Sequence, residues 1–301
     1  MRGEFHAGQS VRFYVGITDR DWFDFLSGLD GLDEVNFWQP GGNRQFKTLQ
    51  IGEPFLFKLH SPDDFIVGGG FFSHSTILPA SIVWQAFGEK NGARTEEEMR
   101  LRIARYRRIA DPNAAEDHRI GCILLESPFF FSRSDWIPLR EWQRSIVQGK
   151  GYDSATDGRA IWERVEALLN AQPAVVNDTQ ARYGEPTTFL PRLGQGSFRL
   201  IVTDSYDRRC AFTGSPVLHV LETAHIRPYA LGGTHSPTNG LLIRQDLHTL
   251  FDRGYMTVAP DHHIEVSSRI RQEFDNGREY YALHGKEIRL PQIPDRQPQA
   301  D

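Results

Sequence analysis

The stretch Leu221-Glu222-Thr223-Ala224-His225-Ile226-Arg227-Pro228, the pair Gly232-Gly233, and the run Asn239-Gly240-Leu241-Leu242 to Asp246-Leu247-His248-Thr249-Leu250-Phe251-Asp252-Arg253 decide how the second half of this chain folds. The pattern predicts a strand ending in His225, a glycine-rich turn, a second strand after Asn239, and a helix carrying His248 and Asp252. Helical residues four apart share one face, so His248 and Asp252 can hold one divalent cation together. An imidazole with a carboxylate suits several metals, and the pattern does not choose among them. His225, at a strand end, is placed to act as a base, because an unperturbed imidazole titrates near neutrality.

With the flanks Cys210-Ala211-Phe212-Thr213-Gly214 and Phe251-Asp252-Arg253-Gly254, this ordered set resembles the HNH (ββα-metal) nuclease family, in its cysteine-poor bacterial restriction branch. The resemblance implies a general-base role for His225, a loop-holding role for Asn239 and a metal-ligand role for His248, with Asp252 where many relatives carry another histidine. It also implies a divalent ion, Mg²⁺ or Mn²⁺ foremost, and phosphodiester hydrolysis. Many relatives place Asp or His directly before the base, where this chain has Ala224. Glu222, two residues earlier on the same strand face, is the expected substitute ligand, with Asp246 behind it. Arg199, Arg208, Arg209, Arg227, Arg244 and Arg253 are available for backbone phosphates, which the guanidinium fork suits. From Gly196 onward, 12 Lys and Arg meet 13 Asp and Glu, so this domain is not basic and needs another module to hold it on DNA.

The whole chain supports two domains, since 301 residues is about twice a typical domain length. The net charge of −5 argues against an indiscriminate nucleic-acid binder but leaves room for a local basic face. No apolar run approaches the ~20 residues of a membrane span, and the first residues show no signal-peptide core. The two cysteines, Cys122 and Cys210, cannot build a disulfide framework or an all-cysteine zinc site. These features predict a soluble cytoplasmic protein with no membrane partner.

The first half, residues 1–152, reads as α+β. Val11–Ile17, Pro54–Leu59, Phe65–Phe72 and Ile120–Leu125 are strand candidates, Phe129-Phe130-Phe131 continues the last, and Asp21–Leu29 is a short helix. Gly68-Gly69-Gly70 weakens one strand and marks a bulge or a close backbone approach. Thr95 and Glu98 form a capping box before a helix bearing Arg100, Arg102, Arg105, Arg107 and Arg108. That helix faces the core through Met99, Ile103 and Tyr106, and Arg105 is a candidate phosphate contact. Arg159–Leu169 has helical spacing, and residues 153–192 read as a helical linker. The nuclease domain then spans 193–291, and 292–301 is a flexible tail.

Residues 11–152 resemble the EVE domain of the PUA superfamily. The carriers are Tyr14-Val15-Gly16-Ile17, Asn36-Phe37-Trp38-Gln39-Pro40, residues 51–60 from Ile51-Gly52-Glu53-Pro54 to Leu59-His60, Val67-Gly68-Gly69-Gly70-Phe71-Phe72, Trp84-Gln85-Ala86-Phe87-Gly88, and residues 147–152. The resemblance implies a PUA-like curved sheet or open barrel with a pocket for a modified base, held by aromatic stacking. Together the halves resemble the EVE–HNH modification-dependent (type IV) restriction endonucleases. The implied partner is double-stranded DNA carrying 5-methyl- or 5-hydroxymethylcytosine, and cutting both strands with one site implies a homodimer or two successive nicks. Trp38 and Asn36 lead the base-pocket candidates, followed by Trp22, Phe71 and Phe72. The competing expectations are a nuclease directed by unmodified sequence or structure, and a catalytically silent nucleic-acid reader.

Overall fold

A computed structural model describes residues 10–109, 116–139, 142–143, 145–171 and 193–299. The chain separates into two compact units, Met1–Arg192 and Leu193–Asp301. The polar, proline-bearing part of the expected linker, residues 172–192, lies outside the described residues, as do the last two residues of the expected tail. No helix among the described residues is long and apolar enough to cross a membrane.

The first unit has the expected α+β architecture. Its strands are β1 (Arg12–Thr18), β2 (Glu34–Gln39), β3 (Pro54–Leu59), β4 (Phe65–Pro79), β5 (Arg119–Phe130), β6 (Ile137–Pro138) and β7 (Gly149–Asp153). They form one curved mixed sheet in the order β2-β5-β4-β3-β1-β7, with β6 on β4. The β1–β3 pair is parallel and its neighbours are antiparallel. The helices are α1 (Arg20–Ser27), α2 (Ala80–Phe87), α3 (Glu96–Arg107) and α4 (Arg159–Ala171).

The glycines of β4 do what their position suggested. A Cβ on Gly68 would stand 2.3 Å from the Phe129 carbonyl oxygen, and one on Gly69 2.6 Å from the Phe129 ring. Only glycine lets β5 approach this closely, and the register shifts nearby are the bulges that bend the sheet. The strand itself continues beyond the expected end at Phe72 to Pro79, because its second half pairs with the apolar Ile120–Leu125 run.

Two expectations about surfaces change. The segment 159–171 is not a free connector: Val165 is fully buried in a cluster with Phe13, Val15, Leu56 and Ile66, so α4 is part of the first unit's core. On α3, Met99 and Ile103 face inward as expected, but Tyr106 is 43% exposed, and its hydroxyl donates to Asp19. Thr95 Oγ1 accepts from Glu98 N at 3.1 Å, a cap worth about 1 kcal/mol. Arg100 and Arg102 pair with Glu96 and Glu98 one turn back, and Arg107 donates to the Pro40 and Arg119 carbonyls. Most of this arginine row therefore ties the helix to its own unit, while Arg105 is exposed.

The second unit holds α5 (Gln195–Ser205), β8 (Leu221–His225), β9 (Gly240–Arg244), α6 (Gln245–Asp252), β10 (Met256–Val258), β11 (Ile264–Val266), α7 (Arg269–Phe274) and α8 (Arg278–Tyr281). The strand–turn–strand–helix reading of 221–252 holds within a residue at each boundary. The hairpin β8–β9 is antiparallel, with His225 opposite Gly240 and Glu222 opposite Ile243. Gly240 is required here, because a Cβ would meet Val202 at 2.5 Å and the Phe198 ring at 3.1 Å. Cys210 is a buried, unligated core residue beside Leu242 and Leu247. Residues 292–299 are hydrogen-bonded to the rest of the unit: Gln292 Nε2 donates to Asp207, and the Gln299 backbone amide donates to the Thr238 carbonyl at 3.2 Å.

Candidate active site

The hairpin and α6 enclose a cavity of about 530 Å³ in the second unit, lined by Phe198, Glu222, His225, Tyr229, His248 and Asp252 among others. His225 ends β8, so its ring leaves the strand just where backbone pairing stops. It lies flat on Phe198 of α5, ring centroids 4.4 Å apart and planes 21° apart, and His235 meets its edge at 5.2 Å. Its Nε2 is buried without a hydrogen-bond partner among the described residues. On a cavity wall, such an atom is available to accept a hydrogen bond from whatever enters the cavity. Burial holds the imidazole below its ordinary pKa, the neighbouring His235 and His248 rings lower it further, and Asp252 opposes them. His225 is therefore neutral at neutral pH, the state that can accept a proton.

Asn239 latches the loop that leaves His225. Its Oδ1 accepts from the Arg227 amide at 2.8 Å, and its Nδ2 donates to the Arg227 and Thr234 carbonyls at 3.0 and 2.9 Å. Its own carbonyl accepts from the Ile226 amide at 2.9 Å. One side chain thus satisfies both ends of the Arg227–Thr234 loop. Gly233 completes the closure, since a Cβ there would stand 1.9 Å from the Arg227 carbonyl oxygen.

On α6, His248 and Asp252 share one face as the spacing requires, with Nε2 and Oδ2 3.3 Å apart. On the other side of the ring, Nδ1 lies 2.8 Å from Glu222 Oε2 of β8. Among the described residues no three His, Cys, Asp or Glu side chains already converge on one point as metal ligands. The His248–Asp252 pair nevertheless fits a divalent ion: two ligands ~2.1 Å from one cation at right angles lie ~3 Å apart. Asp246 is turned away and paired with Arg244, which holds its carboxyl below the usual range.

The phosphate-contact candidates differ in their surroundings. Arg199 lines the cavity, where burial lowers its pKa and Glu222 opposes that shift. Arg227 is exposed, and its Nε donates to the Leu231 carbonyl at 3.0 Å, bracing its own loop. Arg209 is exposed at the Cys210–Gly214 turn.

In the first unit, three base-pocket candidates are core residues. Trp22 is packed edge-on against Phe37 and Phe57, Phe72 against Phe46, and Phe71 beside Phe129. Each is under 10% exposed, so none offers a face for stacking without rearrangement. Asn36 is fully buried on β2. Its Nδ2 donates to Asn91 Oδ1 at 2.8 Å, and its Oδ1 has no hydrogen-bond partner among the described residues. Trp38 is half-buried, its indole N–H donates to the Asn91 carbonyl at 2.9 Å, and its ring meets exposed Tyr106 at 6.3 Å. Asn91 was not legible as part of this group, because it stands more than fifty residues from either partner. Phe198 and His235 were missed in the second unit for a different reason: an aromatic in a helical run or a histidine in a turn carries no local signal of a catalytic neighbour.

Residues 210–259 match the HNH endonuclease family. No curated protein matches the chain. Among solved structures, the crystal structure of ASCH from Zymomonas mobilis aligns with 53% of this chain and 94% of its own, at 11% identity and a TM-score of 0.28. A structure titled as the modification dependent TagI restriction endonuclease aligns with 94% of this chain and 77% of its own, at 14% identity and a TM-score of 0.26.

Proposed function

We propose that this chain is a modification-dependent DNA endonuclease, in which the second unit hydrolyses a phosphodiester with a divalent metal and the first reads a modified cytosine. The observation that carries the proposal is the cavity in which His225, neutral and with a buried unpartnered Nε2, faces the same space as His248 and Asp252. The HNH endonuclease match over 210–259 supports the nuclease assignment independently of that geometry.

In this reading His225 takes the proton of the attacking water, and the Phe198 ring fixes the plane in which it does so. His248 and Asp252 would hold Mg²⁺ or Mn²⁺, which would supply Lewis-acid charge relief to the scissile phosphate and the leaving 3′ oxygen. Asn239 keeps the His225 loop at a fixed distance from α6. Arg199, on the cavity wall, and exposed Arg209, Arg227 and, in the first unit, Arg105 bring positive charge to the phosphate backbone. Neither unit is basic overall, since residues 1–195 carry 22 Lys and Arg against 26 Asp and Glu, so DNA is held through local contacts and the base pocket of the first unit and not through net charge.

The reader function is proposed for 5-methyl- or 5-hydroxymethylcytosine turned out of the duplex. Extrusion costs a few kcal/mol, which stacking and base-edge hydrogen bonds return. Trp38, half-buried and outside the packed aromatic core, is the stacking platform, and fully buried Asn36, whose Nδ2 is held by Asn91, reads the base edge only once that contact opens. A homodimer, or two nicks in succession, brings one cavity to each strand.

Digestion of matched unmodified, 5-methylcytosine and 5-hydroxymethylcytosine duplexes with Mg²⁺ or Mn²⁺ tests the proposal. Cleavage of a modified duplex alone is expected. Equal cleavage of all three would replace it with a nuclease directed by sequence or structure, and no cleavage of any with a silent reader. Trp38→Ala should reduce the preference for modified duplex about tenfold to a hundredfold, the ~1–3 kcal/mol of one base–aromatic stack. Competition binding on the full-length protein checks this, and an undiminished preference would move the platform away from Trp38.

The depressed His225 pKa gives a pH test. Cleavage should rise with pH through a midpoint below the ~6.5 of an ordinary histidine, since the protonated ring cannot act as base. His235 is one of the groups that lowers this pKa. Removing it in His235→Ala should therefore move the acidic limb to higher pH, which a pH–rate profile at saturating metal measures.

A further inference from the structure

We infer that Glu222 is a positioning residue that fixes the tautomer of His248, and that it does not itself ligate the metal. The inference rests on the metal-nuclease reading of this cavity and assigns a different job to the residue expected to replace the ligand missing at Ala224.

The argument begins with the two ring nitrogens. Glu222 Oε2 lies 2.8 Å from His248 Nδ1, and Asp252 Oδ2 lies 3.3 Å from Nε2. An ionised carboxylate only accepts hydrogen bonds, and a neutral imidazole carries one proton. The shorter contact has the length of a charge-assisted N–H···O bond, so in the neutral ring that a cation requires the proton belongs on Nδ1. The Nε2 lone pair then points toward the Asp252 carboxylate. Two electron-rich atoms face each other there, an arrangement that becomes favourable when a cation sits between them.

Glu222 cannot share that cation from its present place, because the two ring nitrogens diverge and it occupies the far one. Its position is built into the fold. β8 and β9 are paired with Glu222 opposite Ile243, and α6 begins directly after β9, so the strand delivers this carboxylate to the back of the His248 ring. Arg199 lines the same wall and interacts electrostatically with Glu222, supplying a positive charge behind it. An imidazole whose other nitrogen is held by a carboxylate is both oriented and made a stronger donor, and losing such a partner costs about ten- to a hundredfold in metal affinity.

The discriminating comparison is Glu222→Gln against Glu222→Ala in the full-length protein. Glutamine keeps an oxygen that accepts the Nδ1 proton, whereas alanine keeps nothing. Mn²⁺ titration by calorimetry should give Glu222→Gln an affinity close to wild type and Glu222→Ala one about ten- to a hundredfold weaker. Asp252→Asn should weaken Mn²⁺ binding whichever residue occupies 222. In metal-free protein, long-range ¹H–¹⁵N spectra should show His248 protonated at Nδ1 in wild type and Glu222→Gln, and a tautomer mixture in Glu222→Ala. Equal loss of Mn²⁺ affinity in Gln and Ala would make Glu222 a direct ligand and overturn the inference, as would a bare Nδ1 in the wild-type spectrum. Absence of Mn²⁺ binding by the wild-type protein would instead remove the metal-nuclease reading, with the Nδ1 spectrum still deciding the Glu222 contact.

Discussion

His225→Ala should slow DNA cleavage by about 10²–10⁴-fold under single-turnover conditions, the usual range for losing a general base. DNA affinity should be nearly unchanged. The size follows from what the site offers as a substitute. His235, the nearest other imidazole, meets the His225 ring edge-on at 5.2 Å, and its ring is also packed against Phe198 and Tyr229. It cannot swing into the vacated place without breaking that packing. His248 is held on α6 with Glu222 on its Nδ1 and its Nε2 facing Asp252, where the cation would sit. The residual rate is then what metal polarisation and binding give by themselves. The fold should survive, because among the described residues His225 Nε2 makes no hydrogen bond that alanine would break, although the Phe198 face loses its stacking partner. Gel-shift titration and single-turnover cleavage on the same preparation separate the two quantities. Affinity falling in step with rate would mean that His225 holds the loop or the DNA, and the general base would have to be sought elsewhere on the cavity wall.

The parts of this site legible in the sequence are those in which chemistry and local geometry share one short segment. The spacing of His248 and Asp252 places both on one helical face whatever the rest of the chain does. A strand that stops at His225 is visible because apolar alternation gives way to Arg-Pro and two glycines. The Thr95 cap and the Gly68–Gly70 approach are local in the same sense. What escaped detection depends on contacts between segments distant in sequence. Phe198 lies on α5, an element read only as the start of the domain, and becomes the shelf for His225 because Gly240 lets α5 close on the hairpin. Glu222 is legible as a substitute-ligand candidate from its strand face, but which nitrogen of His248 it meets depends on strand register against a helix, which no local pattern encodes. Trp22, Phe71 and Phe72 mark the converse failure. Glycine-rich or polar neighbours made them look available, while the inward face of α1 carries Trp22 into the core and the packing of β4 carries Phe71 and Phe72 there. The arginine row of α3 reads as an amphipathic helix with Arg105 as a phosphate candidate, and much of it serves the helix's own acids and nearby carbonyls.

Asn239→Ala should reduce cleavage on the order of a hundredfold with metal affinity intact, because the residue acts on distance and not on chemistry. Three of its hydrogen bonds span the Arg227–Thr234 loop, and alanine supplies none of them. The Arg227 amide and the Arg227 and Thr234 carbonyls would then turn to water, which the exposed loop permits. The cost to stability is therefore modest, roughly the ~1 kcal/mol of each net hydrogen bond lost. The cost to catalysis is larger, because the loop is the continuation of the strand end that aims His225. A displacement near 1 Å is enough to lose ~10²-fold in rate. Asn239→Asp separates latch from shape. Its carboxylate can still accept from the Arg227 amide but cannot donate to either carbonyl, so its rate should fall between wild type and alanine. Mn²⁺ affinity should match wild type in both variants, since His248 and Asp252 sit on α6, on the other side of the cavity. Single-turnover rates with parallel Mn²⁺ titrations check this. A rate loss matched by lost metal affinity would show that Asn239 supports the helix face, and an alanine variant as fast as wild type would show that Gly233 and the backbone bonds of the loop hold His225 without it.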